Sequence, residues 1–126
     1  MQDFSKYQEL AEKKLGGAFI NLDYLVTAFT HRSYLNEHKK TVKEHNERLE
    51  FLGDAVLELV VTEHLYALFP DKPEGDLTAL RAALVNSDML SSIGADLGIE
   101  EYLLMSRGES KDKGRARTYL VANAVE

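Results

Sequence analysis

The chain has 126 residues, a hydrophobic fraction of 44% and no cysteine, which suits one domain with a real core and excludes disulfides and thiolate metal sites. Its net charge of −6, from 15 Lys and Arg against 21 Asp and Glu, argues against a uniformly basic nucleic-acid binder. The opening MQDFSKYQEL lacks the apolar run of a signal peptide, no segment approaches the roughly 18 apolar residues of a membrane span, and the absence of cysteine fits a reducing cytoplasm.

Helical periodicity dominates, so the expected fold class is all-α in a single domain. Phe4, Tyr7, Leu10 and Leu15 predict a first amphipathic helix ended by Gly16-Gly17. Asn21 is placed to cap a second helix through Leu22, Leu25, Val26 and Phe29. NEHKKTVKEHN reads as a polar connection. A long helix follows from about Asn46 to Leu68 and stops at FPDKP, where Pro70 and Pro73 bar continuation. Asp76 is expected to cap the next helix, and another should run from Ser87 to Leu97 before Gly98. SRGESKDKGRAR reads as a basic loop, and TYLVANAVE as the start of a last helix.

The long helix poses the chemical question. Glu47, Glu50 and Asp54 stand at i, i+3 and i+7, within about 60° of one another on a helix that turns about 100° per residue. Such a stripe repels itself by a few tenths of a kcal/mol per pair, roughly, unless it is solvated or holds a cation. Leu49, Leu52, Val56 and Leu59 form an apolar stripe beside it. Gly53 inside the helix costs about 1 kcal/mol relative to alanine and is best explained by another group approaching closely. Asn123 and Glu126 share a face of the last helix at i, i+3. Two helices with two oxygen donors each could clamp a hard cation such as Mg²⁺ or Mn²⁺; the bland alternative is two acidic surface faces.

Other chemistries find no motif. There is no phosphate-binding glycine loop, no dinucleotide fingerprint, no H-E-x-x-H helix and no G-x-S-x-G elbow. None of His31, His38, His45 and His64 stands three residues after a glutamate, which removes the carboxylate di-iron pattern. His31 reads as a satisfied core histidine rather than a ligand. Arg107, Lys111, Lys113, Arg115 and Arg117 make the stretch 106–117 locally basic, so it is either a solvated loop or a phosphate-binding one.

NERLEFLGDAVLELV resembles the signature of the ribonuclease III family, endonucleases that cut double-stranded RNA. LVTAFTHRSYLNE, FPDKPEGDLTALRAALVNSDML and YLVANAVE resemble further segments of that family, in order and over nearly the whole chain. The resemblance implies an all-α endonuclease domain over residues 1–126, whose last helix would run on past Glu126. The family usually continues with a double-stranded-RNA-binding domain, which this sequence does not contain. It implies a cytoplasmic homodimer, with Phe51 reaching toward the partner subunit. Glu50, Asp54 and Glu126 match carboxylates that bind Mg²⁺, with Mn²⁺ as a possible substitute, and support hydrolysis. Asn123 falls where many members carry aspartate and offers a carbonyl oxygen without charge. Glu47 and Glu74 match further acidic positions near the scissile strand. The five basic residues are placed to contact phosphates. Activity of this kind leaves 5′ phosphates and short 3′ overhangs, in processing of ribosomal and messenger RNA. The rival reading is a non-cleaving RNA-binding or assembly module on the same fold. Retention of Glu50, Asp54 and Glu126 favours the enzyme.

Overall fold

Side-chain caps open α-helices at Asn21, His31, Asn86 and Ser106. The computed structural model describes residues 4–126, and its regular elements are helical. Helix α1 (Ser5–Lys13) gives way to Gly16, which adopts a φ of 74° that favours glycine. Leu15 therefore lies beyond the helix and is substantially exposed, not on the predicted apolar stripe. Asn21 caps α2 (Leu22–Ala28) by accepting from the Asp23 amide at 3.0 Å. A short α3 (Arg32–Glu37), which the sequence periodicity did not mark, is capped by His31. Helix α4 (Glu47–Leu68) is 22 residues long and stops one residue before Phe69-Pro70. Helix α5 (Glu74–Leu84) begins after Pro73, so Asp76 sits in its first turn and is not the cap. A proline already fixes the entry dihedral there, and an acidic first turn favours the helix dipole instead. Asn86 caps α6 (Ser87–Leu97) through the Met89 amide at 2.9 Å, and Gly98 closes it in the left-handed region. A 3₁₀ turn (Glu100–Tyr102), α7 (Arg107–Lys111) and α8 (Arg115–Val125) complete the order. Part of the expected basic loop is thus helical, because Ser106 caps it through the Glu109 amide at 3.1 Å.

The core gathers around α1, α2 and α8. Tyr7, Leu10, Leu25, Val26, Phe29 and Val121 are all buried there, joined by Ile99 and Leu104. Each fully buried side chain of this size contributes about 1.5–3 kcal/mol. Tyr7 is fully enclosed, with ring centroids 5.7 Å from both Phe29 and Tyr102, and its hydroxyl donates to the Tyr102 carbonyl. Burial pushes its phenol well above the ordinary tyrosine range. Thr30 and Leu104 form an isolated parallel bridge, in which the His31 amide donates to the Leu104 carbonyl and the Leu104 amide to that of Phe29, both at 2.8 Å. This ties the segment before α7 to the α2–α3 junction.

Two contacts place α4 and α8. Asn46 is buried at the start of α4; its amide donates to the Thr30 carbonyl at 2.8 Å and its side chain to that of Ala28 at 3.0 Å. Helices α6 and α8 pack closely over Gly94, where a β-carbon would lie 2.4 Å from Val121 Cγ1. Arg81 ties α5 to α4, donating to Thr62 at 2.9 Å and pairing with Glu58 at 3.5 Å. Along α4 only Leu65 is buried, and α5 buries no residue.

Candidate active site

Glu50 and Asp54 lie one turn apart on α4, and the end of α8 delivers Asn123 and Glu126 to them. Gly53 makes this meeting possible. A β-carbon on it would stand 1.9 Å from the Glu126 carbonyl oxygen and 2.5 Å from the carbonyl carbon. Both partners are backbone, so neither could swing aside, and any larger residue would force the helices apart. The glycine expected to admit a close neighbour does so, and that neighbour is the residue bearing a candidate carboxylate. Glu50, Gly53, Asn123 and Glu126 line one cavity of about 670 Å³, whose other walls include Leu15, Phe19, Tyr24 and Val56. Asp54 is not part of that lining; it meets Glu126 directly through a side-chain hydrogen bond.

The electrostatics show the three acids acting on one another. Burial raises the Glu126 carboxyl to about 7, helped by the charges of Asp54 and Glu50 and by the hydrogen bond to Asp54. Glu50 is also raised, by burial first and then by Glu47 and Asp54. Partly buried like charges disfavour full ionisation, and the effect is largest at Glu126. Among the described residues, no group of three or more His, Cys, Asp or Glu is placed to hold a metal ion as the side chains stand. The donor chemistry nonetheless fits a hard cation: the donors are all oxygen, and a divalent ion would offset the repulsion among the carboxylates.

The remaining candidates separate. Glu47 pairs with Arg32 at 3.2 Å between exposed side chains, while its charge still acts on Glu50. Glu74 opens α5 and lines none of the cavity that holds Glu50 and Glu126. Phe51 is 84% exposed on α4, with Leu52, Leu59 and Val60 also open. Arg107, Lys111, Lys113 and Arg115 are exposed, and Arg115 pairs with Asp88 at 2.8 Å. Arg117 is a correction to the phosphate-contact set. It is buried, donating to Glu100 Oε1 at 2.9 Å and to the carbonyls of Ser110 and Glu109 at 3.0 and 3.3 Å. His31 is half-buried; its Nδ1 accepts from the Ser33 amide at 3.2 Å and lies 2.7 Å from the Ser33 hydroxyl. Burial lowers its pKa, which keeps that nitrogen free to accept, as a satisfied structural histidine requires.

The family model described as ribonuclease-III-like matches residues 21–126, which include all four residues gathered between α4 and α8. The chain belongs to that family. It is 48% identical over 122 residues to the ribonuclease 3 of Geobacillus thermodenitrificans, covering 97% of this chain and 49% of that protein. It is 46% identical over 118 residues to that of Streptococcus pneumoniae, covering 94% and 47%. The chain thus spans about half the length of the curated relatives it matches. A solved nuclease domain of ribonuclease III from Campylobacter jejuni, described for flexibility in a region involved in dimer formation, superposes with a TM-score of 0.81 at 39% identity. That match covers 94% of this chain and 78% of the other.

For a ribonuclease-III-like domain, the sequence reading missed what lies outside the signature. Gly94 sets the spacing of α8 and was visible only as a glycine in a helical pattern. Arg32 of α3 pairs with Glu47 of α4, and no spacing rule pairs residues on two helices.

Proposed function

We propose that this chain is the catalytic domain of an endoribonuclease that hydrolyses double-stranded RNA with the help of a divalent cation, Mg²⁺ or its substitute Mn²⁺. The observation that carries the reading is the meeting of Glu50, Asp54 and Glu126 across the Gly53 contact, with Glu126 raised to about 7. Glu50, Asp54, Asn123 and Glu126 would hold the cation, which when bound supplies Lewis acidity at the scissile phosphate and at the attacking water. A carboxyl at about 7 takes up or gives up a proton near neutral pH, which suits Glu126 to proton transfer. Asn123 contributes a carbonyl oxygen and no charge, so this donor set carries less negative charge than one with aspartate there. Arg107, Lys111, Lys113 and Arg115 offer the positive face that an acidic domain needs to meet phosphates.

Two copies would associate through the open apolar face of α4 around Phe51, and a region of the Campylobacter jejuni nuclease domain is likewise described as involved in dimer formation. A pair of sites on opposite strands would leave 5′ phosphates and short 3′ overhangs, and structured precursors of ribosomal and messenger RNA in the cytoplasm are the natural class of substrate. The test is a labelled RNA duplex incubated with the complete protein. Cleavage with Mg²⁺, none in chelator, and none by Glu126→Gln at any Mg²⁺ concentration is the expected result. Duplex binding without cleavage under every condition would turn the reading into that of a non-cleaving module.

A further inference from the structure

Helix α7 buries no residue, yet it carries Arg107 and Lys111 and leads into Lys113. An element with no apolar anchor depends on polar tethers for its position. Its N-terminal end has two: the Ser106 amide donates to Ser33 Oγ at 2.9 Å, and the Arg107 amide to Glu37 Oε1 at 3.2 Å. Its C-terminal end is held from α8. Arg117, the only buried charged residue among the described ones, donates to the Glu109 and Ser110 carbonyls through one terminal nitrogen and to Glu100 through the other. Those carbonyls belong to the last turn of a helix, where unpaired acceptors and the negative end of the dipole favour a cation. The same α8 carries Asn123 and ends at Glu126.

We infer that Arg117 is a positioning residue that fixes the basic segment 107–113 relative to the carboxylates of α8. The inference rests on the double-stranded-RNA reading above. A guanidinium presents donors in a rigid fork and so reaches three acceptors on two elements at once, which a lysine does not. Arg117 then acts on RNA through the placement of Lys111 and Lys113 and touches no phosphate itself.

The test is a double-mutant cycle in the complete protein, with cleavage kinetics on an RNA duplex and duplex affinity measured across a salt series. Replacing Lys111 and Lys113 with alanine should raise KM and lower the salt slope by about two. Arg117→Met should raise KM by about tenfold, with a much smaller fall in kcat, and in that background removal of the two lysines should add little. Glu100→Gln, which keeps the guanidinium and weakens its anchor, should show the same non-additivity in smaller measure. It decides the matter if Arg117→Met does not fold. Additive effects of Arg117 and the lysines on KM would overturn the inference. Lysine replacements that leave KM and the salt slope unchanged would overturn it too, while Mg²⁺-dependent cleavage by the unaltered protein left the parent reading standing.

Discussion

Helix α1 buries three of its nine residues, whereas α4 buries one of 22. Both are amphipathic in sequence, but they dispose of their apolar residues differently. Tyr7, Leu10 and Ala11 close a core with α2 and α8 inside one chain. Phe51, Leu52, Val56, Leu59 and Val60 remain more than half exposed on α4. The difference teaches that stability and function are housed separately. The α1 side holds α8 in register, and α4 spends one edge on the carboxylates and leaves its apolar surface for another partner, which we take to be a second copy.

Substitutions on the two sides should therefore behave unlike each other. Tyr7→Ala should destabilise the domain by about 3–5 kcal/mol, read by denaturant or thermal unfolding. Gly53→Ala sits where the two sides meet. Its β-carbon would collide with the Glu126 backbone, so a loss of about 1–3 kcal/mol is expected. Cleavage should fall more severely, on the order of 100-fold, because the carboxylates would be pushed apart. A Gly53→Ala enzyme with unaltered kcat would break the link between that contact and the site. Phe51→Ser should change the stability of the separated chain by no more than about 0.5 kcal/mol. It should nevertheless weaken self-association in sedimentation, and an equal loss of fold stability would mean that Phe51 belongs to the core after all.

A smaller effect is expected from pH. Glu126 is raised from 4.5 to about 7 in the folded chain, so the folded state binds the proton more tightly than the unfolded one. Its contribution to stability is fully present below about 4.5 and is lost as pH rises through about 7, opposite to the usual carboxylate case. In chelator the melting temperature should fall over that window. Glu126→Gln should flatten the fall, and added Mg²⁺ should offset it above pH 7. A melting temperature that rises over the same window in chelator would contradict the shift.

How much of this the sequence disclosed depended on distance along the chain. The span of α4, the Asn21 cap and the Gly98 stop were legible because neighbouring residues decide them. Gly53 signalled a close approach, though not that Glu126 makes it. Glu50 and Asp54 were legible as a pair at helical spacing. Their meeting with Glu126 was implied by family resemblance, since no periodicity links two helices 72 residues apart in sequence, from Asp54 to Glu126. Arg117 was misread because a basic run gives no sign of which member turns inward. The turn depends on Glu100 and on two backbone carbonyls that only the fold brings near.

The central proposal is that α4 and α8 bring Glu50, Asp54 and Glu126 together as one cation-binding group, with a proton held on Glu126. Calorimetric titration of the complete protein with Mg²⁺, in buffers of different ionisation enthalpy, tests it most directly. The account predicts binding that releases a proton at pH 6.5, releases less at pH 8.5, and is strongly weakened in Glu126→Gln. Binding of equal strength in Glu126→Gln, with no proton released from the unaltered protein, would contradict it.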